Sequence, residues 1–175
     1  MRQIEPQLVQ EMVKVGCVLV DNQQDIQRLV DLTVLPNGTP NKQFVGKNAS
    51  VILDAAHIPY NGDPRLIILR TPKDHPFAVI EMLMPILPVI TVDSFDEGLN
   101  VCLLLEAGLH HTATMHSLNM ERLNQMARKM KTSIFVKNGP SYAGLGFSGE
   151  GTTTFTIATP TGESTTFCSM LCSSP

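Results

Sequence analysis

The 175-residue sequence predicts an α/β fold, an open and mostly parallel twisted sheet with flanking helices. Three observations predict it. Short continuous apolar runs at 66–69, 86–92 and 133–136 read as strands buried on both faces. Between them lie stretches with apolar residues at helical spacing. The order strand, helix, strand, helix, strand from 86 to 136 makes two consecutive crossover units, which join parallel strands.

The first third is helical with breaks. Residues 6–15 carry Leu8, Met12 and Val15, and residues 25–34 carry Ile26, Leu29, Val30 and Val34, each close to one helical stripe. Pro36 to Pro40 is a dense turn signal, a third helix is predicted over 47–56, and Pro59 to Pro64 breaks it again. The strand at 66–69 follows. Ser94-Phe-Asp-Glu97 has the capping-box pattern and opens a helix through Glu106, with Asp96 and Glu97 suited to the positive end of its dipole. Gly108 ends it. A further helix from Asn119 places Met120, Leu123, Met126, Ala127 and Met130 on one side, a stripe read as core. Residues 138–151 form a Gly-rich loop, and the β-branched stretch 152–158 reads as another strand.

Composition bounds the function. Apolar residues make up 43% of the chain, enough for one substantial core. The 13 Lys and Arg are scattered among 16 Asp and Glu, so no nucleic-acid footprint or polybasic membrane patch is expected. The longest apolar run, Val79 to Val92, has 14 residues interrupted by Glu81, Pro85 and Pro88, too short to span a bilayer. The first residues lack the pattern of a secretion signal, and the expectation is a soluble, cytoplasmic protein. Asn37-Gly-Thr and Asn48-Ala-Ser match the glycosylation acceptor pattern, which carries no meaning in that compartment.

Several motifs invite chemistry. Gly144-Leu-Gly-Phe-Ser-Gly149 spells the dinucleotide fingerprint, but no strand leads directly into it and no helix leaves it. Its glycines read instead as turn positions or points of close backbone approach. His110, His111 and His116 cluster; along one strand His110 and His116 share a face about 20 Å apart, with His111 on the other face. They cannot then share one ion, and no metal is expected. A hydrogen-bonded interior role, or for His111 a place lining a ligand channel, remains open. Glu81 stands in an otherwise apolar stretch and needs a partner. Either it faces water at a strand edge or it pairs with Arg70 or Lys73.

These blocks together resemble the C-terminal third of the CoA-acylating aldehyde dehydrogenases of ethanolamine and propanediol utilisation. The blocks are His75-Pro-Phe77, Glu81-Met-Leu-Met-Pro-Ile-Leu-Pro88, His111-Thr-Ala-Thr-Met-His-Ser117, Ser133-Ile-Phe-Val-Lys-Asn-Gly-Pro-Ser-Tyr-Ala-Gly-Leu-Gly146, Gly149-Glu-Gly151 and Ala158-Thr-Pro-Thr-Gly-Glu163. The resemblance divides the chain into a weakly matching helical segment, 1–43, a part of the catalytic domain, 44–166, and an aberrant tail, 167–175. It implies that Glu81, with Pro85 four residues later, accepts hydrogen bonds from the nicotinamide ribose hydroxyls of NAD. It implies that Asn138, Gly139, Pro140 and Tyr142 line the aldehyde pocket.

The reaction so implied joins a small aldehyde to coenzyme A. A cysteine thiolate attacks the aldehyde, hydride passes to NAD, and coenzyme A takes the acyl group from sulfur. None of the four cysteines has the flanks of the family's nucleophile. Cys17 follows Val-Gly, Cys102 is inside the capped helix, and Cys168 and Cys172 are in the tail. The chain therefore has no catalytic nucleophile and, read as a fragment without the main nucleotide-binding domain, is expected to be inactive alone. The alternative is a non-catalytic assembly module that docks with a full-length relative. The parent enzyme is expected to be a homo-oligomer, in places housed in a bacterial microcompartment and associated with its shell.

The tail departs from the family's arginine-rich ending. One spelling of the codons for 167–175, read one base out of frame, gives Ser-Ala-Arg-Cys-Phe-Ala-Arg-Arg, so a frameshift is predicted there. On that reading Cys168 and Cys172 carry no chemistry, against the metal or redox reading of a Cys-x-x-x-Cys pair.

Overall fold

In the run Leu66 to Arg70, Ile67, Ile68 and Leu69 are shut off from solvent. Only a strand covered on both faces has a use for such a continuous apolar run. In the computed structural model, which describes residues 1–146, it is the middle of three parallel strands. β1 (Cys17–Leu19), β2 (Leu66–Arg70) and β3 (Ile86–Val89) lie in that order, with Cys17 opposite Leu66 and Ile67 opposite Ile86.

Four helices accompany this sheet. They are α1 (Glu5–Lys14), α2 (Gln23–Thr33), α3 (Ala49–Ala55) and the single turn α4 (Pro76–Val79). Asn22 starts α2 by accepting from the Gln24 N–H at 2.8 Å. The core joins Ile26 and Leu29 of α2 and Ile52 and Leu53 of α3 to Ile67 and Leu69 of β2. Arg70, at the exposed end of β2, ties the rim together. Its Nε donates to Glu5 at 2.7 Å and its Nη1 to Asp21 at 2.8 Å.

β1 is an element that periodicity passed over, since three residues leave no periodic trace. Gly16 makes the strand possible. At φ 101° it turns the chain out of α1, and its carbonyl accepts from the Arg65 N–H at 2.9 Å, delivering the next residues alongside β2. The predicted strand 86–92 is shorter than expected and stops at Val89. Pro88 within it pairs in register with Leu69. Among the described strands β3 is an edge, where a residue without an N–H is tolerated.

The chain divides into two compact units, the first ending at Gly98 within α5 (Phe95–Glu106). The predicted capping box is real, displaced by one residue on its return bond. Ser94 Oγ accepts from the Glu97 N–H at 3.1 Å, while the Glu97 carboxylate accepts from the Asp93 N–H at 2.8 Å. At the other end Ala107 and Gly108 both have positive φ, and the Glu106 carboxylate accepts from the Gly108 and His110 N–H groups.

In the second unit β4 (Thr112–Met115), α6 (Met120–Met130) and β5 (Ile134–Lys137) make one crossover, closing a two-stranded parallel sheet with Thr112 opposite Ile134. Asn119 caps α6 by accepting from the Arg122 N–H. Leu123, Met126 and Met130 are buried as the stripe predicts, although Met120 is exposed. The expectation of two crossovers within one sheet is corrected here. Among the described residues β3 and β4 belong to separate parallel sheets, because apolar runs show that a segment is buried but not which strand lies beside it.

The histidine geometry is corrected as well. His110 lies outside β4 in left-handed backbone at φ 51°, so strand alternation does not relate it to His116. Among the described residues no three His, Cys, Asp or Glu side chains are placed to hold a metal, and no helix is long and apolar enough to cross a membrane. The predicted strand 152–158, the blocks 149–151 and 158–163, Cys168, Cys172 and the tail 167–175 lie outside the described residues.

Candidate functional site

Glu81 sits in the extended link between α4 and β3. The link is held from both sides. His75 Nδ1 accepts from the Phe77 N–H at 3.2 Å to cap α4, Phe77 is buried, and Met82 is buried immediately after Glu81. With its neighbour turned inward, Glu81 faces outward and is exposed. Arg70, one of its two expected partners, is occupied by Glu5 and Asp21. Glu81 has no hydrogen bond or ion pair with any described residue, so the water-facing alternative is the one the structure shows.

The free carboxylate lines a cleft of about 820 Å³ together with Leu35, Asn37, Thr39, Lys42 and Leu83. The far wall is the turn that the sequence marks with Pro36 and Pro40. The Leu35 N–H donates to the Thr39 carbonyl at 2.8 Å, Gly38 takes φ 77°, and Asn37 Oδ1 accepts from Thr39 Oγ1 at 2.7 Å. Asn37, Thr39 and Lys42 line this cleft and were not among the site residues singled out from sequence. Their only local signal was that of a turn, and Glu81 is some forty positions away. A carboxylate in such a wall can accept hydrogen bonds from two neighbouring hydroxyls, with Lys42 as an added donor.

Asn138, Gly139, Pro140 and Tyr142 stand together in the second unit, in the turn leaving β5. They are not equivalent. Asn138, at φ 54°, spends both ends of its carboxamide on Ser117, accepting from its N–H at 2.7 Å and donating to its carbonyl at 3.0 Å. Its backbone N–H reaches the Met115 carbonyl at 2.9 Å. Its side chain is a clamp, and the surface it shapes is carried by Pro140 and Tyr142, both exposed.

A short 3-10 helix, Ser141–Leu145, follows the turn. A Cβ on Gly144 would collide with the Ile134 side chain, and Gly146 ends the helix at φ 90°. Within the described part of the fingerprint-like run the glycines therefore serve close approach and a turn, as read from sequence. Ser148 and Gly149 lie outside the described residues.

Cys17 and Cys102 are free and half-buried. Burial pushes both thiols above their ordinary range, with Arg65 pulling weakly the other way at Cys17. Neither is an activated thiolate.

No protein-family model matches the chain. It is 52% identical over 164 residues to a CoA-propanoylating propanal dehydrogenase of Citrobacter freundii, a match covering 93% of this chain and 35% of that protein. It is 51% identical over 129 residues to the acetylating acetaldehyde dehydrogenase EutE of Salmonella typhimurium, covering 74% of this chain and 28% of that one. Its structure resembles that of the Rhodopseudomonas palustris propionaldehyde dehydrogenase with bound propionyl-CoA, with a TM-score of 0.90, 40% identity, and coverage of 95% of this chain and 37% of the other. The chain is a homologue of the CoA-acylating aldehyde dehydrogenases, spanning about 35% of the length of the first of these relatives.

Proposed function

We propose that the chain is part of the catalytic domain of an NAD-dependent, CoA-acylating aldehyde dehydrogenase acting on a small aldehyde, and that Glu81 holds the nicotinamide ribose. The observation that carries the reading is the unpaired Glu81 carboxylate on the wall of a cleft. No described residue partners this charge, and a ribose diol would supply two hydrogen-bond donors to it. NAD, when bound, supplies the hydride acceptor. Glu81 orients the sugar and so sets which face of the attached ring is presented to the aldehyde. Pro140 and Tyr142, on the turn that Asn138 anchors, line the approach of the aldehyde.

Two measurements test the reading. Titration of the isotopically labelled chain with NAD should shift the amide resonances of Glu81, Asn37 and Thr39, and Glu81→Ala should abolish those shifts. Shifts confined to other residues would refute the assignment. The purified 175-residue chain supplied with propanal, NAD and coenzyme A should form no NADH, because no cysteine in it has the setting of the nucleophile. Robust turnover would show that the catalytic residue has been misplaced.

A further inference from the structure

Leu83 is a ridge between two clefts of the first unit. It is 64% exposed and has φ 53°, left-handed backbone that few non-glycine residues adopt. Its carbonyl accepts from the Gly46 N–H at 3.0 Å, which joins the ridge to the loop ahead of α3. The Glu81 cleft lies on one side. On the other is a cleft of about 500 Å³ whose lining includes Lys47, Asn48, Asp63, Arg65, Met84 and Pro85.

The walls of this second cleft are fixed by backbone hydrogen bonds. The Lys47 N–H donates to Phe44 at 3.1 Å, the Arg65 N–H to Gly16 at 2.9 Å and the Ile67 N–H to Pro85 at 2.9 Å. The lining residues are thus mounted on ordered backbone, so what binding has to order is the exposed Lys47 and Arg65 side chains. The charges of the lining do not balance, since two cations face one carboxylate. Arg2, Lys14, Arg28 and Arg70 of the same unit each have a carboxylate partner, whereas Lys42 and Lys73, outside this cleft, have none among the described residues. Lys47 and Arg65 form no ion pair with any described residue, although Asp63 lies in the same wall. The Asn48 side chain makes no capping bond to α3 and no hydrogen bond with any described residue, so its carboxamide NH2 is available as a further donor. Donors in excess of acceptors, on a fixed concave wall, make a site for an anion.

We propose that this cleft binds the phosphate group of a phosphorylated small molecule, held between the Lys47 ammonium and the Arg65 guanidinium. The apolar Met84 and Pro85 edge lies against the organic part of that ligand. The site is separate from the ribose contact assigned to Glu81 and stands without it.

Calorimetric titration of the 175-residue chain with inorganic pyrophosphate at low salt tests the proposal. Saturable binding at one site is expected, weakening as salt is added. Lys47→Ala and Arg65→Ala should each weaken it by about fivefold, the loss of one charge-assisted contact at a partly exposed site. Arg65→Lys, which keeps the charge and most of the stem, covers the case in which Arg65→Ala fails to fold. It should bind more weakly than the wild type, because the planar fork is lost. Lys42→Ala and Glu81→Gln, in the neighbouring cleft, should leave the affinity unchanged, so failure of the NAD reading and failure of this one are distinguishable. Absence of saturable binding, or binding unaltered in the folded Lys47→Ala/Arg65→Lys double variant, overturns the proposal. Malonate binding as tightly as pyrophosphate would overturn the assignment to phosphate.

Discussion

The Asn138 carboxamide closes a two-way hydrogen-bonded ring on the backbone of Ser117, accepting at 2.7 Å and donating at 3.0 Å across 21 positions of sequence. It acts as one more rung of the β4–β5 ladder, made by a side chain where β5 has already turned away. Asn suits the position twice over, because it tolerates the left-handed backbone at φ 54° and offers both a donor and an acceptor.

Replacing Asn138 should therefore loosen a particular joint. Asn138→Gly keeps the backbone permitted and removes the clamp, at a cost of about 1–2 kcal/mol for two exposed, ordinary hydrogen bonds. Asn138→Asp keeps the acceptor and sets a carboxylate against the Ser117 carbonyl, so it should fall between glycine and wild type. Amide hydrogen exchange at Ser117 is the check. Protection there should drop in Asn138→Gly while protection at Leu123, in the middle of α6, is retained. Equal loss at both amides would mean that the unit unfolds as a whole.

Much of this was legible because it is local. Ser94 and Glu97 announce α5, Asn119 announces α6, and Leu123, Met126 and Met130 share one face at helical spacing. What failed to show was long-range. Cys17 to Leu19 is three residues long and leaves no periodic trace, and its strand exists because Arg65 reaches back to Gly16. The apolar runs at 86–92 and 133–136 mark two strands equally well whether they share a sheet or not. At the site, Glu81 stood out as a carboxylate among apolar residues. The cleft that gives it meaning needs Asn37, Thr39 and Lys42, which no spacing rule connects to it.

Cys17 and Cys102 supply a test of the absent nucleophile. Burial raises both thiols above their ordinary range, so both are protonated at neutral pH. Iodoacetamide should modify them more slowly than it modifies free cysteine at the same pH, with Cys102 the slower, since burial alone acts on it and Arg65 partly offsets burial at Cys17. Mass spectrometry of timed peptide digests reads the two sites separately. Labelling of either residue faster than free cysteine would identify an activated thiolate and reopen the question of catalysis within these residues.

His75 should give the fold a dependence on pH. Its Nδ1 accepts from the Phe77 N–H, a bond only the unprotonated nitrogen can make, and burial lowers its pKa from the ordinary 6.5, with Asp74 opposing. A group whose folded pKa is depressed binds its proton more readily when unfolded. Its stabilising effect is full above pH 6.5 and is lost as pH falls from there through the lower folded value. Acidification in that window should thus lower the thermal midpoint of the wild-type chain before most carboxylates begin to titrate. His75→Asn provides the control, because Asn caps a helix start with an oxygen that does not ionise in this range. The variant should melt with a smaller dependence on pH between 6.5 and 5. Identical pH profiles for the two proteins would show that protonation of His75 does not govern acid stability.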